Sequence, residues 1–152
     1  MTPMIVSTAA RPDLVPTTAR WRWEAFFQDA MSLDEMLLME AEATNSELMP
    51  TVLVLLEGEE PVGMVALCLD DLEGRPDLNP WLAGLYVADA HRGNGYGLRL
   101  IAELEGLARR EGIDRLSLYT ASAVDLYSKA GWSEVESFSK DEATYWIMQK
   151  AL

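Results

Sequence analysis

Apolar and polar positions along the chain follow two periods, and their changes mark out the elements. Residues 4–8 read as a short strand, after which Pro12 and Pro16 punctuate a loop. Trp23, Phe26, Phe27 and Ala30 recur at i, i+3, i+4 and i+7, which predicts a helix over about 18–30. Ser32 and Glu35 have the form of a capping box. With Leu33, Met36, Leu37 and Ala41 as an apolar stripe, they predict a second helix to about Asn45. The β-branched, apolar segments 51–57 and 62–69, separated by Gly58, Glu59, Glu60 and Pro61, read as a hairpin. A polar, turn-rich stretch over 70–80 leads to a strand over 81–87 and then to a glycine-rich turn. Leu100, Ile101, Leu104, Leu107 and Ala108 define a third helix, with Arg109 and Arg110 in its last turn and Gly112 as its stop. A strand over 115–120 follows, then a short helix with Ser122 as N-cap and Gly131 as terminator. Strands over 132–138 and 144–148, joined by 139–142, close the chain. This order predicts an α/β fold with a mixed sheet.

The chain has 152 residues, 49% of them hydrophobic, enough for one domain over 1–152 with its own core. Its one cysteine, Cys68, excludes an internal disulfide and a cysteine-built metal site. The longest apolar run, near 51–56, is far short of a membrane span, and no cationic, apolar leader opens the sequence, so a cytoplasmic protein without a membrane partner is expected. A net charge of −13 disfavours a nucleic-acid partner, because binding a phosphate backbone rests on cationic neutralisation. The charge is unevenly spread. Between Arg22 and Arg75 lie thirteen acidic residues, Glu47 among them, and no Lys or Arg; from Arg75 onward nine basic residues face eleven acidic ones. Most of those carboxylates read as a solvated face, yet the two halves suit ligands of opposite sign.

Arg92-Gly93-Asn94-Gly95-Tyr96-Gly97 stands between a predicted strand and a predicted helix. Glycines remove the Cβ atoms that hold a ligand away from the main chain, and the first helical turn offers unpaired N–H groups at a positive dipole end. Phosphate oxygens fit such a place. A dinucleotide fingerprint fails, because the third glycine position falls on Leu98 or Leu100, and no Gly-Lys-Ser/Thr follows for a triphosphate loop.

What remains, R-x-x-G-x-G after a strand with Arg92, Gly95 and Gly97 in place, resembles the pyrophosphate turn of the GCN5-related N-acetyltransferase (GNAT) superfamily. Tyr86, Val87 and Arg92 are similar to its "YV-x-P-x-x-R" approach, without the proline. Thr120, Ala123, Leu126, Tyr127, Lys129, Gly131 and Trp132 are similar to its "N-x-x-A-x-x-LYEKLGF" segment, with Thr for Asn and Trp for Phe. The element order fits that superfamily from about Met4 to Met148, although the first half carries no family motif. The resemblance implies a single-domain mixed sheet flanked by helices and splayed between the fourth and fifth strands.

It further implies an acetyl-CoA-dependent N-acetyltransferase. The backbone of Tyr86 and Val87 would pair with the pantetheine arm, and the N–H groups of residues 92–97 would hold the pyrophosphate. Thr120 and Lys129 fall at matched positions of the second segment and join the cofactor-binding set. Tyr127 stands where the family often places a general acid, since a phenol can protonate a thiolate without being ionised at neutral pH. The N–H of Val87 is the candidate oxyanion donor. Many relatives carry a glutamate on the strand before the turn, but residues 81–87 contain no acid, so proton removal either runs through water to an acid of the acidic half, with Glu24, Asp70 and Asp71 placed only by region, or needs little help where desolvation on binding lowers the amine's pKa. His91 reads as a loop residue and Cys68 as core, and Trp21, Trp23, Met31, Met36 and Met39 as core that could also wall an acceptor pocket. The acceptor expected is a small cationic amine. A non-catalytic acyl-CoA-binding module and a protein lysine or N-terminal acetyltransferase are the alternatives, and a homodimer is left open.

Overall fold

The computed structural model describes residues 2–45 and 49–152, so Glu47 lies outside the described residues. Seven strands, β1 (Met4–Ser7), β2 (Thr51–Glu57), β3 (Glu60–Cys68), β4 (Trp81–Val87), β5 (Arg115–Thr120), β6 (Ser133–Lys140) and β7 (Ala143–Ala151), form one sheet in the order β1-β2-β3-β4-β5-β7-β6. All neighbours are antiparallel except β4 and β5, which run parallel and pair at Trp81 and Ser117.

Alternation along the strands sorts side chains onto two faces. Leu53, Leu55, Val65, Leu67, Leu82, Leu116, Leu118 and Met148 meet Leu100, Ile101, Leu104 and Ala108 of α3 (Tyr96–Arg110). On the other face Val52, Val54, Met64, Ala66, Cys68 and Ala83 pack with Leu14 and with Ala43 of α2 (Leu33–Ala43). Beside this second cluster runs α1 (Val15–Arg22), and α4 (Val124–Lys129) adds Tyr127 to the α3 side.

The strand-rich middle follows the hydrophobic pattern closely, and the first helix does not. The chain turns helical earlier than expected, and the α-helix gives way at Trp23–Phe27 to one wide π turn that shifts the register. Phe26 is therefore exposed, and Val15, Thr18, Ala19 and Arg22 form the buried stripe at i, i+3, i+4 and i+7. In α2 the Ser32–Glu35 capping box forms, but the helix ends at Ala43 and buries Glu40 instead of Ala41. The N-terminus of α4 is held without Ser122: Thr120 Oγ1 accepts the Ala123 N–H at 3.0 Å. The hairpin turns are tighter than the sequence suggests, at Gly58–Glu59 and at Asp141–Glu142, the latter pair with φ of 52° and 66°.

Candidate active site

Beyond Trp81 and Ser117 the parallel strands separate, which leaves one edge of β4 open over residues 82–87. On its other edge β4 follows β3 with an irregularity opposite Val65, where Gly84 takes φ +61°. Ala88 N–H donates to the Val62 carbonyl at 2.9 Å. Ladder bonds alternate in direction, so the Val87 N–H points into the splay. The Val87 carbonyl is already taken: Arg92 Nε donates to it at 2.8 Å, while Arg92 Nη1 lies 2.7 Å from Asp89 and the guanidinium sits 5.7 Å from the Tyr86 ring centroid. Arg92 thus buttresses the end of β4 besides adding positive charge there.

The glycine turn follows directly. Gly93 and Gly95 adopt φ of +86° and +78°, and a Cβ added to either would meet nothing within 4 Å. Backbone conformation, and not crowding, requires glycine, and open space lies over the main chain. Gly95 caps α3 with no side-chain hydrogen bond, so the first N–H groups of the helix are left for a ligand. Asn94 Nδ2 donates to the His91 carbonyl at 3.0 Å and holds the turn closed. Glu57, at the tip of β2, accepts from His91 Nδ1 at 2.6 Å and from the Tyr96 hydroxyl, fastening both ends of the turn to the β2–β3 hairpin. This open edge and Cβ-free cradle fit the pantetheine and pyrophosphate of a CoA ester.

On the α3 side, Tyr127 is buried, with its ring edge-to-face against Trp132 at 6.1 Å. Burial alone pushes its phenol well above the ordinary value, so it keeps its proton throughout the neutral range. Its helix abuts the turn: a Cβ on Gly97 would stand 3.7 Å from Leu126 Cδ2. Lys129 is exposed in the last turn of α4. The structure therefore groups Tyr86, Val87 and residues 92–97 at one end of β4, keeps Tyr127 in the adjacent core, commits the Thr120 hydroxyl to bracing α4, and leaves Lys129 on the surface.

The opposite face holds what sequence reasoning left unplaced. A cavity of about 570 Å³ is lined by Arg22, Glu40, Cys68, Asp70, Asp71 and Glu73 with neighbouring apolar groups. Arg22 Nη1 lies 3.2 Å from Glu40 Oε2, its Nη2 contacts Cys68 Sγ at 3.6 Å, and the guanidinium stands 5.7 Å from the Phe27 ring centroid. Burial raises the Cys68 thiol, so it serves as a neutral, weak acceptor there. Arg22 also runs under the β4 irregularity, where a Cβ on Gly84 would fall 3.1 Å from Nε. The Asp71 carboxyl is raised to about 6 by burial against the opposing pull of Arg22. The one available signal was a charge recurring in an apolar stripe, Arg22 after Val15, Thr18 and Ala19, and Glu40 after Met36. Glu24 instead pairs with Arg20 across one helical turn at 3.4 Å.

Within the described residues no helix is long and apolar enough to cross a membrane, and no cluster of His, Cys, Asp or Glu could hold a metal ion. No curated protein matches the chain. Solved structures do. An acetyltransferase of the GNAT family from Streptococcus pneumoniae superposes with a TM-score of 0.73 at 22% identity, covering 99% of both chains. An aminoglycoside 6'-N-acetyltransferase complexed with coenzyme A gives 0.76 at 17% identity over 99% of this chain and 97% of the other. The PaiA N-acetyltransferase of Thermoplasma acidophilum, in complex with coenzyme A, gives 0.72 at 19% identity with both chains fully covered. These identities speak for the fold. Residues 15–132 match the model of the acetyltransferase (GNAT) family, more than half the chain. The protein therefore belongs to the GNAT family, an N-acetyltransferase that draws its acetyl group from acetyl-CoA.

Proposed function

We propose that the protein transfers acetyl directly from acetyl-CoA to the primary amine of a small cationic molecule, with Tyr127 as general acid. The observation that carries this reading is the cavity on the α1–α2 face. Glu40, Asp70, Asp71 and Glu73 outnumber Arg22 and Arg75 there, and Arg75 is already engaged by Asp77 and Glu136 at 3.1 and 2.7 Å. A net negative cavity of about 570 Å³ suits a compact cation better than an extended peptide.

In this reading the edge of β4 at Tyr86 and Val87 aligns the pantetheine arm, the backbone of residues 92–97 holds the pyrophosphate, and Thr120 and Lys129 complete the cofactor side. The Val87 N–H meets the oxygen of the tetrahedral species, where charge develops. Tyr127 lies on the α3 face and the acidic cavity on the other, so acid and amine approach the thioester from opposite sides of the splay. Burial makes the Tyr127 phenol a weaker acid, but a thiolate formed in the same apolar surroundings is raised with it, so the proton transfer stays matched. The test is thiol release from acetyl-CoA across a panel of mono-, di- and polyamines and anionic amino acids. Turnover confined to the cationic members is expected, and turnover confined to the anionic ones would overturn the acceptor assignment.

A further inference from the structure

We propose that Asp71 is the general base that takes a proton from the acceptor's ammonium, an inference that rests on the amine-acetyltransferase reading above and adds a catalytic residue to it. Trp81–Val87, the strand that borders the splay, carries no carboxylate, so a carboxylate base comes from elsewhere in the fold.

Three observations select Asp71. First, it lies three residues past the end of β3, whose last residue, Cys68, is in register with Trp81, the position at which β4 and β5 part. That places it beside the closed end of the splay, on the wall of the acidic cavity. Secondly, it lies near β5: burial first and the charge of Asp71 next raise the Tyr119 phenol to about 12. Thirdly, it is uncommitted. Among the described residues it makes no hydrogen bond or ion pair, whereas Asp70 accepts from Asn79 Nδ2 at 2.6 Å and Glu40 is bound to Arg22.

The wall around it is built for a further polar group. Glu40 Oε1 and Arg22 Nε are buried with no partner among the described residues, although both side chains line the cavity. Unpaired buried donors and acceptors cost free energy, and an ammonium seated beside Glu40 can donate to its carboxylate. The groups facing Asp71 set its basicity. Arg22 from α1 favours the carboxylate, while Glu40 from α2, Cys68 from β3, and Tyr119 on β5 with its neighbour Tyr145 on β7 supply no positive charge. Asp70, Glu73 and the already paired Arg75 complete the loop side. A carboxyl poised near neutrality can both accept a proton and release it to water.

The step balances. The ammonium gives one proton to Asp71, the nitrogen lone pair forms the C–N bond, and the C–S bond breaks with its electron pair going to sulfur. The nitrogen loses a second proton, equivalent to the one delivered to the thiolate, and Asp71 returns its own to water.

The experiment compares wild type, Asp71→Asn and Asp71→Glu in kcat/KM against pH, using the best-turned-over amine of the panel, and in acetyl-CoA affinity by calorimetry. Asp71→Asn should lose about 100-fold or more in kcat/KM. It should also lose the acidic limb of the profile and keep acetyl-CoA affinity within about twofold, and Asp71→Glu should recover part of the rate. A second measurement separates chemistry from folding: with 2,2,2-trifluoroethylamine, already neutral at the assay pH, the deficit of Asp71→Asn should shrink at least tenfold. An active wild type whose Asp71→Asn variant keeps its rate and its acidic limb, or whose deficit is the same for both amines, would overturn the role of Asp71 alone. A wild type that binds acetyl-CoA and acetylates no amine would overturn the underlying reading and this inference with it.

Discussion

The Arg22 guanidinium and the Glu40 carboxylate stand 3.2 Å apart inside the protein, 5% and 2% exposed, joining α1 to α2 beneath the acidic cavity. Desolvating two charges offsets much of their attraction, so the pair adds little net stability, but either member left alone is costly. Glu40→Ala should therefore destabilise the fold by about 3–5 kcal/mol. The double change Arg22→Met with Glu40→Leu should recover most of that loss. Urea unfolding midpoints with unchanged m-values would check both. A single variant as stable as wild type would mean that Arg22 reaches solvent through the cavity.

Two glycines with similar backbone angles should respond differently to alanine. At Gly95, φ is +78° with nothing within 4 Å of an added Cβ, so the cost is that of a left-handed residue, about 1–2 kcal/mol. At Gly84, φ is +61° and the Cβ also meets Arg22 Nε at 3.1 Å. Gly84→Ala should then unfold at lower denaturant than Gly95→Ala. Calorimetry should show the reverse order for acetyl-CoA, because only the Gly95 methyl stands over the cradle.

How much was readable in advance follows from where each signal lies. Residues 81–87 form a bounded apolar run, 115–120 alternate, and the glycine turn is local in sequence, so strand edges, cradle and helix start were all legible. Arg22 and Glu40 were not, and Asp71 only by region, since their meaning comes from α1, α2 and the β3–β4 loop converging on one cavity. The π turn after Arg22 hid the true buried stripe, because Trp23, Phe26 and Phe27 imitate a helix face that the wider turn rotates away from the core. Acidity was similarly ambiguous. Of the described carboxylates before Arg75, Glu35 caps a helix, Glu57 holds the glycine turn, Glu59 approaches Arg11, and only Glu40, Asp70, Asp71 and Glu73 line the cavity.

Tyr127→Phe isolates a hydroxyl that makes no hydrogen bond among the described residues. The ring fills the same space against Trp132, so stability should stay within about 1 kcal/mol and acetyl-CoA affinity within about twofold. If the hydroxyl protonates the departing thiolate, kcat should fall about 100-fold or more. Unchanged turnover in thiol-release assays would remove Tyr127 from the mechanism.

Glu57 links the hairpin to both ends of the glycine turn through His91 and Tyr96. Glu57→Gln weakens the hold on His91 without touching the cradle itself. The turn should then be less ordered before binding, so the Kd for acetyl-CoA should rise about three- to tenfold, with kcat at saturation nearly unchanged. An equal fall in kcat and kcat/KM would instead tie the hairpin to the chemical step.

Asp71 also gives stability a pH dependence of definite sign. Its folded carboxyl is raised to about 6 from an ordinary 3.8, so between those values the native state binds the proton more tightly than the unfolded chain. Stability then falls as pH rises through that window, and above it the ionised, partly buried carboxylate costs about 2–3 kcal/mol after allowance for its solvent contact. Asp71→Asn removes the cost, so the variant should be more stable than wild type at pH 8 and should match it at pH 4. Asp13, Asp77 and Glu136, held below their ordinary range by arginine partners, slope the other way, but they are common to both proteins and cancel in the difference. Urea unfolding at pH 4, 6 and 8 and fixed ionic strength measures the gap directly. An Asp71→Asn variant less stable than wild type at pH 8 would mean that Arg22, and not burial, dominates the environment of Asp71.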